Sequence, residues 1–175
     1  MDQHNHQVLQ NTIAILKDLV SFEVLGGQSN LPILEYIKKY LEQHGIGYTL
    51  LPNDDHTKAS LHARIGPAVD GGLVLSGHMD VVPVKGQDWH TDPFTLTEKD
   101  SLLYGRGSCD MKGFLACCLA MVPIFQSQNL KSPIYLAFSY DEEVGCLAGE
   151  ELAQAIMTSY EERPKYAIIG EPSMM

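Results

Sequence analysis

The stretch LVLSGHMDVVP, residues 73–83, decides how the chain is read. Its start is a short, nearly continuous apolar run, the pattern of a strand buried on both faces in a parallel sheet. The run ends at Gly77, and an imidazole and a carboxylate, His78 and Asp80, follow two residues apart. In open α/β sheets, ligands bind in the crevice beyond the carboxyl ends of the strands. Ionisable groups at that place point to a site as well as to packing.

The same pattern recurs on either side. SPIYLAFSY (132–140) and KYAIIG (165–170) also read as buried strands, the first followed by Asp141, Glu142 and Glu143, the second by Glu171. LLYGRGSCD (102–110) reads as a short strand running into a glycine-punctuated loop that ends at Asp110. GYTLLP (47–52) and ASLHARIG (59–66) alternate as strands. Helical spacing covers residues 7–20, about 112–126 with Pro123 inside, and 149–160. In SNLPILEYIKKYLEQHGIG (29–47), Ser29 or Asn30 can cap a helix, Pro32 suits its first turn and Gly45 stops it. Strands alternating with helices predict an α/β fold, a largely parallel central sheet with helices on both faces. The chain ends five residues after a strand with no closing helix, so a truncation inside a domain is expected.

Bulk properties remove several functions. Twelve basic against 22 acidic residues give a net charge of −10, the wrong sign for a nucleic-acid surface. The opening MDQHNHQVLQ lacks the basic start and apolar stretch of a signal peptide. The longest apolar run, FLACCLAMVPIF (114–125), is too short to span a bilayer. The four cysteines show no CxxC spacing; Cys117 and Cys118 are expected buried and free, Cys109 packed near the site, and the compartment reducing and cytoplasmic. His4, His6, His44, His56, His62 and His90 stand in polar or loop contexts and are expected at the surface, with the role of His90 in GQDWHTDPF (86–94) open.

Five or six carboxylates and one histidine delivered to one crevice would repel one another unless cations neutralised them. One imidazole with several carboxylates and no thiolate pair suits zinc, cobalt or manganese better than calcium. His78 would ligate through one ring nitrogen while Asp80 accepts the proton of the other. Glu142 and Glu143, pointing apart in an extended segment, would divide the work, one coordinating and one serving as general base. A nucleotide-binding α/β module with an acidic edge is a second reading, but no GxxxxGK[ST] loop or strand-following GxGxxG is present. A non-catalytic metal-binding domain is a third.

SGHMDVVP (76–83), YGRGSCDMKG (104–113), DEEVGC (141–146) and IIGEPS (168–173), in this order, resemble the M20 metallopeptidase and amidohydrolase family, which includes acetylornithine deacetylase, succinyl-diaminopimelate desuccinylase and glutamate carboxypeptidases. Two stretches, 26–41 and 86–116, look most like its acetylornithine-deacetylating branch. The resemblance implies the N-terminal part of a zinc-exopeptidase-like catalytic domain, spanning residues 1–175, with two divalent metal ions, zinc or else cobalt. Asp110 would bridge them, His78 and Glu171 would complete one side, and Glu143 would bind the second ion. Glu142 would be the general base and Asp80 would orient His78, and the Asp110–Met111 peptide would be cis. The implied reaction is hydrolysis of a small N-acyl amino acid, N-acetyl-L-ornithine, with desuccinylase or dipeptidase action as alternatives. Family members carry a further histidine ligand downstream and an inserted dimerisation domain. Without these, this segment alone is expected to be nearly inactive and to expose sheet edges and apolar faces that favour association.

Overall fold

In a computed structural model of the chain, which describes residues 3–173, eleven elements follow the expected alternation. They are α1 (Gln3–Ser21), α2 (Leu31–Gln43), β1 (Tyr48–Pro52), β2 (Ala59–Ile65), β3 (Gly72–His78), β4 (Thr97–Lys99), β5 (Leu102–Tyr104), α3 (Lys112–Ser127), β6 (Ile134–Ser139), α4 (Gly149–Ser159) and β7 (Pro164–Ile169). Five strands make the central sheet in the order β1-β2-β6-β3-β7. β6, β3 and β7 are mutually parallel, β2 is antiparallel to β6, and β1 is antiparallel to β2, so β2 alone opposes the common direction.

Period-2 alternation in β6 shows how the two faces are filled. Leu136 and Phe138 enter the main core with Leu19, Ile37, Leu115 and Leu119 from α1, α2 and α3. Tyr135 and Ala137 point the other way, onto Leu152 and Ile156 of α4. The placement follows from handedness. The chain moves from β3 to β6 through α3, then back across β3 to β7 through α4, so right-handed crossovers put the two helices on opposite faces. The loops after the adjacent strands β3 and β6 therefore leave toward opposite faces and open a crevice between them.

Local chemistry explains the ends of α2. Gly45, at φ +65°, closes the helix, and its amide and that of Ile46 satisfy the carbonyls of Glu42 and Leu41. Asn30 is the capping position, yet its fully buried side chain does not cap; it clasps Ala59, donating to the carbonyl at 2.8 Å and accepting from the amide at 3.0 Å.

Four expectations need correction. LLY (102–104) is not a strand of the central sheet but half of a separate hairpin with β4, because its partner strand lies immediately upstream, with only Asp100 and Ser101 between them. β7 is not buried: it is an edge whose Tyr166, Ile168 and Ile169 are exposed. His62 is fully buried on β2, where alternation turns it toward the α4 side. Cys117 and Cys109 are exposed while Cys118 is buried, since only one of two adjacent helical residues can face the core. His6, His56 and His90 are exposed and His44 is half-buried; the side chain of His4 lies outside the described residues. Among the described residues, no helix is long and apolar enough to cross a membrane.

Candidate metal centre

His78 is the last residue of β3 and is 1% exposed. Its Nδ1 lies 2.8 Å from the main-chain carbonyl of Asp80, which fixes that nitrogen as the donor and leaves Nε2 directed into the crevice. Around Nε2 stand Asp110 Oδ1 at 3.1 Å, Glu171 Oε1 at 3.6 Å and Glu142 Oε2 at 3.9 Å. Two overlapping sets of ligand atoms result: His78 with Glu142 and Glu171, and His78 with Asp110 and Glu143, each set within 4.8 Å. The segment before α3, the loop after β6 and the residues after β7 thus deliver their acidic groups to one imidazole, which β3 supplies. Of the seven strand-end residues singled out in the sequence, His78, Asp80, Asp110, Glu142, Glu143 and Glu171 are in or against this crevice and Asp141 is not.

Asp80 acts differently from the expectation. Its carboxylate stands 3.5 Å from His78 Nδ1, and its nearer partners are the amides of Glu142 and Glu143, each at 3.1 Å. The carbonyl orients the ring; the carboxylate anchors the glutamate loop. Burial works against its charge, but the His78 ring first and then those two amides hold the Asp80 carboxyl below its ordinary range.

Asp110 comes from a loop and not from a sheet strand. Lys112 N–H donates to the Gly107 carbonyl at 2.7 Å, folding the segment back, and the Asp110–Met111 peptide is cis. Met111 is fully buried beneath His78, whose amide faces its sulfur at 3.2 Å. Gly77 makes room for it: a Cβ there would lie 2.8 Å from Met111 Cε. Asp141, grouped with the crevice acids in the sequence, turns away, to the Gly27 amide and Lys58.

Electrostatics mark the cluster as short of positive charge. Burial works against a charged His78, but the carboxylates of Asp80, Glu171 and Asp110 outweigh it and raise its pKa to about 9. Burial and then Asp110 push Glu143 up, and Glu171 rises for the same two reasons, with Glu142 adding to both. The donors are one imidazole nitrogen and carboxylate oxygens, an arrangement that fits divalent zinc, cobalt or manganese.

Two neighbours escaped the sequence reading. Lys112 is fully buried, its Nζ donates to the Phe22 carbonyl at 2.7 Å, and desolvation lowers its pKa to about 8 against the pull of Asp80. A lysine opening an otherwise apolar helix was the available signal. Cys146 faces Glu142, Sγ to Oε1, at 3.0 Å. Beside His78, Glu142 and Glu171, an apolar groove of about 470 Å³ runs between α4 and the sheet, with Val74, Ile156 and Ile169 on its walls.

Known proteins resemble the chain in sequence and in fold. Acetylornithine deacetylase of Proteus mirabilis (strain HI4320) is 38% identical over 149 residues, which cover 85% of this chain and 37% of that protein. Acetylornithine deacetylase of Myxococcus xanthus is 35% identical over 167 residues, covering 93% and 42%. The chain therefore spans about two fifths of the length of these curated relatives. Among solved structures, human carnosine dipeptidase 1 superposes with a TM-score of 0.82 at 26% identity, over 98% of this chain and 40% of that one. The M20 family metallo-carboxypeptidase Sso-CP2 of Sulfolobus solfataricus shares the fold, with a TM-score of 0.79 at 21% identity, over 99% and 38%. The profile of Peptidase family M20/M25/M40 matches residues 74–175, a span that begins inside β3 and takes in His78, Asp110, the Glu142–Glu143 pair and Glu171. The chain belongs to that family.

Proposed function

We propose that this chain is the N-terminal portion of the catalytic domain of a metal-dependent amide hydrolase that converts N-acetyl-L-ornithine to L-ornithine and acetate. The observation that carries the reading is the convergence of carboxylates from three other segments on His78 Nε2. In this reading His78, Asp110, Glu143 and Glu171 would hold two divalent ions, zinc or else cobalt, while Asp80 holds His78 and the glutamate loop in place. Bound cations supply Lewis-acid polarisation and acidify water.

The residues supply the rest. Glu142, on the crevice side of its loop, takes a proton from the attacking water and returns it to the departing amine. The buried Asp80 and Met111 keep His78 from turning, which preserves alignment at the scissile carbonyl. Choice of acetylornithine rests on the 35–38% identity to acetylornithine deacetylases. Dipeptide hydrolysis is the second reading, favoured by the superposition on carnosine dipeptidase 1. A cytoplasmic homodimer, joined through residues outside this chain, is part of the same proposal, with neither nucleic acid nor membrane as partner.

Glu142→Gln in the complete protein separates an enzyme from a metal-binding module. It is expected to lower the rate of acetate release by at least about a hundredfold while leaving zinc content unchanged. Retained turnover, or loss of zinc together with turnover, would contradict the role given to Glu142. Parallel assays on acetylornithine, succinyl-diaminopimelate and dipeptides decide the substrate.

A further inference from the structure

The glutamate pair is anchored from two directions, and only one of them involves the crevice. Asp80 holds both amides from the His78 side. On the far side, Asp141 precedes the pair in the left-handed region at φ +54°, with its side chain only 6% exposed. Asp141 Oδ1 accepts the Gly27 amide at 2.9 Å and Oδ2 meets Lys58 Nζ at 2.5 Å. Lys58 is itself held. Its amide donates to Asn53 Oδ1 at 2.9 Å, its carbonyl accepts the Asn53 amide at 3.0 Å, and its ammonium lies 5.9 Å from the centre of the Tyr140 ring. Its side chain is 11% exposed and stands among none of the crevice carboxylates.

Gly26 completes the clamp. Its amide donates to the Val81 carbonyl at 3.2 Å, and a Cβ on it would lie 2.9 Å from Val144 Cγ1 and 3.2 Å from Asp80 Oδ2. The Gly26–Gly27 turn is therefore pressed between the strand that ends in His78 and the loop that carries Glu142 and Glu143. Mutual repulsion among the crevice carboxylates pushes that loop outward; an ion pair behind it resists the push.

We infer that Lys58, acting through Asp141, is a positioning residue that aims Glu142 and Glu143 into the crevice. The inference rests on the metal reading above. Residues that hold metal ligands in place typically contribute ten- to a hundredfold in metal affinity. Breaking a buried pair by removing one charge also destabilises, whereas neutralising both partners can be nearly neutral. The discriminating variants are thus Asp141→Asn, which keeps an acceptor for Gly27, and Lys58→Met with Asp141→Asn, which leaves no buried charge unpaired.

The test measures zinc affinity of the complete protein by competition with a chromophoric chelator, alongside metal-free melting curves and the visible spectrum of the cobalt form. The double variant is expected to melt near the wild-type temperature and Asp141→Asn below it; both are expected to bind zinc about tenfold or more weakly and to show an altered cobalt spectrum. Lys58→Arg, which keeps the pair with Asp141, is expected to bind zinc as the wild type does. A folded double variant that holds zinc within twofold of wild type would overturn the inference. So would failure of both variants to fold, which would make the pair a fold determinant and not an aiming device. A wild-type protein that binds no zinc would instead remove the metal reading on which both rest.

Discussion

At the scale of single residues, the site is a matter of which neighbour claims each polar atom. Asp80, two residues after His78, divides its polar atoms, carbonyl to the imidazole and carboxylate to the glutamate amides. His62 shows the same logic away from the crevice. Buried on β2, it meets Tyr160 Oη at 3.0 Å and Ser159 Oγ at 3.5 Å, and the Arg64–Glu162 pair lies along the same face. Burial lowers its pKa in the fold, so the native state binds fewer protons than the unfolded chain, where histidine titrates near 6.5. Its contribution is present above that value and is lost as the pH falls through the folded pKa. His62→Gln is expected to destabilise by about 1 kcal/mol at pH 7 through the lost tyrosine contact, and to flatten the decline of the urea midpoint between pH 7 and 5. An unchanged or steeper decline would rule out His62 as its source. The sequence HARI gave no warning of burial for this histidine, because an alternating strand signals that one face is polar without saying what covers it. His78, at the end of an unbroken apolar run, was legible for the opposite reason.

At the scale of elements, the loop before α3 is built around contacts that tolerate no side chain. Gly113 sits in the first turn of α3, where a Cβ would lie 2.4 Å from the Ser108 carbonyl oxygen. A glycine-to-alanine change inside a helix ordinarily stabilises by about 0.5–1 kcal/mol; here overpacking against backbone, at about 1–3 kcal/mol, wins. Gly113→Ala is expected to lower the melting temperature and, by displacing the segment that carries Asp110, to weaken zinc binding. A variant more stable than wild type, with unchanged zinc affinity, would refute that account of the loop. The parallel strands β3, β6 and β7 were readable from their apolar runs and β1 and β2 from their alternation, as was α2 from Pro32 and Gly45. The hairpin of β4 and β5 was not, since three-residue strands carry too little periodicity, and Asp110 reaches the crevice from that hairpin's exit instead of from a sheet strand.

At the scale of the whole molecule, strand order creates the site. Reversal of chain direction across β3 opens the crevice between β3 and β6, and every acidic group of the candidate centre lies beyond the same edge of the sheet. The sequence showed acids at strand ends but not the order of the strands, because pairing depends on which faces the helices cover. The exposed β7 edge and the apolar groove beneath α4 show how much nonpolar surface this segment leaves uncovered. The function proposed here puts paired cations at this edge. Anomalous scattering at the zinc edge, from crystals of the complete protein grown with zinc, tests it most directly. Two peaks are predicted, one on either side of Asp110, within reach of His78, Glu143 and Glu171. A crevice free of anomalous signal in zinc-replete crystals, or zinc bound only away from these four residues, would contradict the account.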